Sequence, residues 1–163
     1  IFNLKNMSKI SIIISFRNEK DNINKFVQEV EASFSKNNNY EIIFIDDNSS
    51  DGSLEILLSL IKKNKKIKII KMKKRFGHSN CIQAGLENIS DKNFCVLIDC
   101  DLQDPPSLIN QNLNINDTTN TIHFVRKSRD DGFFQKIYTS IAYKILKIIS
   151  KGKIIESAGY FKI

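Results

Sequence analysis

The sequence contains no tryptophan and only three cysteines, Cys81, Cys95 and Cys100, at irregular spacing. An odd number without paired Cys or His spacing excludes a disulfide framework and a structural zinc site. Cys95 sits in an apolar run, where a thiol behaves as a small hydrophobe. Unpaired thiols suit reducing surroundings, so the expected location is the cytoplasm or the cytoplasmic face of a membrane. No run of 18 apolar residues occurs, so no segment reads as a bilayer-spanning helix. No signal-peptide pattern is visible. Met7-Ser8-Lys9 before the first strand reads as a start, so residues 1–6 are expected to lie upstream of it. Internal repeats, low-complexity tracts and linkers are also absent. With 163 residues, 41% of them hydrophobic, the chain is expected to fold as one domain with a real core.

Positive charge is in excess, at a formal net +7. That suits an anionic partner: nucleic acid, an acidic membrane surface or a phosphorylated substrate. The densest basic stretch, Lys62 to Arg75, lacks interleaved aromatics and matches no nucleic-acid module, so no nucleic-acid partner is expected. It reads as a solvated helix end, loop and strand edge.

Strand-like and helix-like segments alternate. Ile10 to Ser15 is a β-branched run, as a buried parallel strand requires. From Asp21 to Phe34, apolar residues recur at helical spacing. Further strands are predicted at Glu41–Ile45, Ile67–Met72, Phe94–Ile98 and Thr121–Val125. Helices are predicted at Ser53–Ile61, from a Ser79 cap to about Ile89, briefly after Pro105-Pro106, and at Phe133–Ile149. The last of these carries an apolar stripe with Lys136, Lys144 and Lys147, which fits a helix packed on the sheet or one lying on an anionic membrane. Such alternation implies an α/β fold, a mostly parallel sheet with helices on both faces. Ligands bind such sheets beyond the carboxyl ends of the strands.

The informative polar clusters fall at those ends. Asp99-Cys100-Asp101 follows the fourth strand. Two carboxylates one residue apart repel each other unless a cation sits between them. Hard divalent ions take oxygen ligands, so Asp99, Asp101 and the Gln103 amide are candidate ligands for Mg²⁺ or Mn²⁺; a capping loop before Pro105 is the plainer alternative. Asp47, after the second strand, can accept from a nucleobase or ribose, while Ser50 or Asp51 caps the next helix. Gly77 permits close backbone approach and His78 can donate to a phosphate. Arg126-Lys127-Ser128-Arg129 offers guanidinium groups of the kind that grip phosphates in a fork.

These residues carry a family resemblance. Ser11 to Glu19, Phe44 to Ser53, Phe76-Gly77-His78, Ala84-Gly85-Leu86 and Leu97 to Pro106 resemble family 2 glycosyltransferases, over nearly the whole chain. Asp101 to Pro106, with Val125 to Arg129, resembles the branch that includes dolichyl-phosphate mannosyltransferases and bacterial undecaprenyl-phosphate glycosyltransferases. The resemblance implies a GT-A fold over residues 1–163, a nucleotide-diphosphate sugar donor, a Mg²⁺ or Mn²⁺ ion and a polyprenyl-phosphate acceptor at the membrane surface. Carried over by position, Phe16, Asn18, Glu19, Asp47, Gly77, His78 and Asp99 would bind the nucleotide sugar. Asp99, Asp101 and Gln103 would hold the metal. Asp101, through the metal it would hold, and Arg126 and Arg129 directly would act in catalysis by neutralising phosphate charge. A homo-oligomer stays open.

Departures from the family pattern are informative. Ser15 stands where Pro is usual, Arg17 where a stacking Tyr is usual, and Phe124 where Gly is usual. The family's Ala-Gly-Asp-Phe-Arg run is here Ala158-Gly159-Tyr160-Phe161-Lys162, and family members continue beyond it. A hydroxyl acceptor needs a positioned base, whereas a lipid phosphate is already ionised. Tyr160 in place of the carboxylate therefore fits a phosphate acceptor, or an inactive copy; a saccharide hydroxyl is the remaining acceptor class.

Overall fold

The computed structural model describes residues 9–35, 39–89, 94–112, 123–125 and 158–162. They fall in two compact units, one comprising Ile1–Ile122 with Phe161–Ile163 and the other His123–Tyr160. In the first unit the order is β1 (Ile10–Phe16), α1 (Lys20–Ser33), β2 (Tyr40–Asp46), α2 (Ser53–Lys63), β3 (Ile67–Lys71), α3 (His78–Leu86), β4 (Phe94–Leu97) and α4 (Ser107–Asn112). β5 (His123–Val125) belongs to the second, and β6 (Ala158–Lys162) begins in the second and ends in the first.

The first unit is an α/β sheet in the order β3-β2-β1-β4 with every neighbour parallel. The end of β6 adds an antiparallel contact, Lys162 opposite Leu97. Isoleucine dominates β1 and β2 because its branched side chain packs well on a pleated surface buried on both sides. Ile10, Ile12, Ile13, Ile14, Ile42, Ile43 and Ile45 are all fully buried. Alternation sends successive residues to opposite faces. On one face Ile13, Ile43 and Ile45 pack with Cys81 of α3. On the other, Phe44 meets Phe26 of α1 and Phe16 edge to face, at centroid distances of 6.2 and 5.8 Å. Helices thus cover both faces of the mostly parallel sheet.

The predicted elements recur with shifted ends. Helix α2 runs to Lys63 and α3 begins at His78, with Gly77 rather than Ser79 as its flanking residue. The segment 133–149 lies outside the described residues, as do 121 and 122 of the predicted fifth strand.

Gly85 marks the closest helix–sheet approach. A Cβ there would sit 2.6 Å from Ile13 Cγ2 and 3.0 Å from Ile45 Cδ1. Both isoleucines are fully buried and cannot swing away. Gly85→Ala should therefore destabilise by about 1–2 kcal/mol, overpacking outweighing the gain in helix propensity. Urea unfolding measures this; an equal or higher midpoint would refute the tight contact.

At the amino end of the sheet, Glu41 lies opposite Ser11 and is 2% exposed. Its carboxylate accepts from Lys9 Nζ at 2.7 Å, Ser11 Oγ at 2.7 Å and Lys68 Nζ at 2.8 Å. Burial alone raises its pKa, but the two ammonium groups and the hydroxyl outweigh burial and hold it at about 2 instead of 4.5. The folded carboxyl thus binds its proton more weakly than the unfolded one. The resulting stability is present above pH 4.5 and is lost as pH falls toward 2. Because both lysines are partly solvated, we expect a contribution of about 2 kcal/mol. Glu41→Gln should remove it, flattening the acid limb of the stability curve; an unchanged acid midpoint would contradict this.

Candidate functional site

All parallel strands of the first unit end on the same edge, so the residues after β1, β2, β3 and β4 share one rim. The turn after β1 is laced to the loop after β2. Asn18 adopts φ 58° and Asn48 φ 60°, left-handed positions that asparagine tolerates. The Asn18 N–H donates to Ser49 Oγ at 3.0 Å, and Asn18 Oδ1 accepts from the Ser50 N–H at 2.9 Å. The Glu19 N–H donates to Ser53 Oγ at 2.9 Å and the Lys20 N–H to Asp51 Oδ2 at 3.1 Å. Asp51 Oδ1 also accepts from the N–H and hydroxyl of Ser53. The N-cap of α2 is therefore Gly52, at φ 96°, and not Ser50 or Asp51 as the sequence suggests; Asp51 stands one residue before it.

Asp46 and Asp47 are both buried. Asp46 Oδ1 accepts from the Ser49 N–H at 2.8 Å, while its Oδ2 has no partner among the described residues. Asp47 grips the next loop: its two oxygens accept from the N–H groups of Phe76, at 2.7 Å, and Gly77, at 3.0 Å. Burial pushes the Asp47 carboxyl up, but those amides, the Cys81 thiol and the Arg75 charge outweigh burial and hold it low. Gly77, at φ 86°, lets the chain turn into α3 directly after this anchor.

Beyond β4, Asp101 Oδ1 accepts from the Gln103 N–H at 3.0 Å, and Leu102 takes φ 61°. Here the rim opens into a cleft of about 140 Å³ lined by Ser15, Phe16, Arg17, Glu19, Asp99, Cys100 and Asp101. Buried Cys100 senses the local field. Burial, reinforced by the charges of Glu19, Asp101 and Asp99, pushes its thiol to about 12, so it stays protonated and unreactive.

Of the expected site residues, the structure brings Phe16, Glu19, Asp99 and Asp101 to one cleft. Asp47, Gly77 and His78 form a neighbouring cluster tied by the Asp47 hydrogen bonds. Asn18 sits in the laced turn. Gln103 is exposed and does not line the cleft. Arg126 and Arg129 lie outside the described residues. The sequence leaves Arg17 as a departure that weakens base binding or stacks in place of Tyr; its position between Phe16 and Asn18, inside a rim motif, is the signal for a further role.

Among the described residues no group of three or more His, Cys, Asp or Glu side chains is arranged to hold a metal ion. A pair of carboxylates still fits Mg²⁺ or Mn²⁺ chemistry, because such ions bind one or two carboxylates and complete their shell with substrate phosphates and water. Among the described residues no helix is long and apolar enough to cross a membrane.

Comparison with known proteins adds to this geometry. The family model described as "Glycosyl transferase family 2" matches residues 11–161. The uncharacterized glycosyltransferase sll0501 of Synechocystis sp. is 30% identical over 95% of this chain and 49% of its own length. The uncharacterized glycosyltransferase YkcC of Bacillus subtilis is 32% identical over 94% of this chain and 48% of its own. The chain thus spans about half the length of the curated relatives it matches. Among solved structures, a mannosyltransferase of Pyrobaculum calidifontis in complex with GDP-Man and Mn²⁺ is similar, with a TM-score of 0.53, 14% identity and coverage of 61% of this chain and 29% of that one. GalNAc-T7 with UDP, GalNAc and Mn²⁺ is similar with a TM-score of 0.52, 20% identity and coverage of 59% and 18%. Both similarities concern the fold.

Proposed function

We propose, from the premise that this chain belongs to glycosyl transferase family 2, that it holds a nucleotide-diphosphate sugar at the strand-end rim and transfers the sugar, with inversion, to a polyprenyl phosphate. The observation that carries this reading is the gathering of Glu19, Asp99 and Asp101 with Phe16 and Arg17 around one cleft at the carboxyl ends of β1 and β4. The two fold relatives with Mn²⁺ and GDP-Man or UDP support a donor of that class.

In this reading Asp99 and Asp101, with Gln103, would hold a Mg²⁺ or Mn²⁺ ion. When bound, that ion supplies positive charge that stabilises the leaving nucleoside diphosphate. Phe16, Asn18, Glu19 and Asp47 form the nucleotide side of the rim, with Gly77 and His78 flanking it. Arg126 and Arg129 bind phosphate of the donor or the lipid. The acceptor oxygen attacks the anomeric carbon as the bond to the diphosphate breaks on the opposite face. A lipid phosphate brings that oxygen already ionised, so Tyr160 in place of a family carboxylate does not block the step. A lipid acceptor puts the reaction at a membrane surface, and the unpaired thiols suit its cytoplasmic face.

Full-length protein incubated with radiolabelled nucleotide sugars, Mn²⁺ and undecaprenyl phosphate should form a lipid-linked sugar. Labelling of added saccharides instead would move the acceptor to a hydroxyl. No transfer to either would mark a nucleotide-binding copy without activity.

A further inference from the structure

Arg17 is exposed, immediately follows β1 and shares the cleft lining with Glu19, Asp99 and Asp101. It is the sole cationic side chain in that lining and forms no ion pair among the described residues. We infer that Arg17 is a specificity-determining residue of the donor site, binding the diphosphate rather than stacking on the base. This inference rests on the donor-site reading above and adds to it.

Two observations separate the roles. Stacking would put Arg17 at the base end of a donor, the end at which acidic Asp47 is proposed to sit. Asp47 is absent from the lining of the Arg17 cleft, which of the proposed nucleotide side holds only Phe16 and Glu19. Arg17 instead stands beside the Asp99 and Asp101 pair, where phosphate charge would gather. A guanidinium on this flank can take two phosphate oxygens in a fork. It also offsets one of the three carboxylate charges in the lining, leaving a charge that a divalent cation would balance before an anion enters. The cost of holding the arginine is small, because its side chain remains solvated.

The test compares Kd values of full-length protein for UDP against UMP, and GDP against GMP, by calorimetry with Mn²⁺ present. The preferred base should show tighter binding of the diphosphate. Arg17→Ala and Arg17→Gln should each shrink the monophosphate-to-diphosphate Kd ratio about tenfold or more, and Arg17→Lys should restore part of it. Arg17 is exposed, so thermal unfolding of the variants should match the parent; the glutamine and lysine variants keep an extended side chain should alanine disturb the turn. Equal weakening of monophosphate and diphosphate would overturn the inference in favour of base stacking, and an unchanged ratio would also overturn it. A parent protein that binds none of the four nucleotides would sink the donor-site reading itself.

Discussion

Sugar transfer by the Asp101→Ala protein should fall by about three orders of magnitude, with thermal stability unchanged. The side chain is exposed, and its only described bond within the fold is the one from the Gln103 amide, so little folding energy is at stake. Its carboxylate shares the cleft with Asp99 and Glu19, so on the proposed reading deletion would remove a cation ligand from the place where leaving-group charge develops. Asp101→Asn should fall nearly as far, since an amide oxygen keeps the shape but not the charge. Single-turnover kinetics with saturating donor would measure the loss. Retention of more than a tenth of parental activity would remove Asp101 from the mechanism.

Asp47→Ala should destabilise the fold by about 1–2 kcal/mol, because it takes the acceptor from two part-buried amide donors that now meet a carboxylate. The amides of Phe76 and Gly77 should exchange with solvent far faster, as the loop leading into α3 comes free. Asp47→Asn should be intermediate, keeping a single carbonyl acceptor. The pH dependence has a fixed sign. The folded carboxyl lies below its ordinary value of 3.8, so its stabilisation is present above that value and declines as pH falls through the lower folded one. Donor binding should weaken in parallel, since the freed loop carries Gly77 and His78. Unaltered exchange at residues 76 and 77 would contradict this account of the anchor.

What was legible in the sequence follows from how local each interaction is. The β-branched runs announced β1 and β2 because burial on both faces leaves no room for polar alternation. The acidic pair was legible at the rim because it directly follows the apolar run of β4, which ends on that edge. The start of α3 was misplaced because its determinant is not a neighbouring cap. It is the Asp47 carboxylate, which holds the Gly77 N–H from 30 residues away. Glu41 showed the same limit. In the run Tyr40-Glu41-Ile42 nothing marks it as buried, and its partners Lys9, Ser11 and Lys68 come only with the strand register. Gly85 gave no local signal either, since its need for a bare Cα arises from two isoleucines on other strands. Arg17 was visible as a departure, but its surroundings became apparent only once β1 and β4 lay side by side.

The central claim is that Asp99 and Asp101 grip a cation against a nucleoside diphosphate. Titrating Mn²⁺ into full-length protein with UDP or GDP present, and following the resonance of free Mn²⁺, tests it without any assay of turnover. We expect one nucleotide-dependent site per chain that disappears when both aspartates become asparagine. An undiminished site in that double variant would place the ion elsewhere and contradict the account.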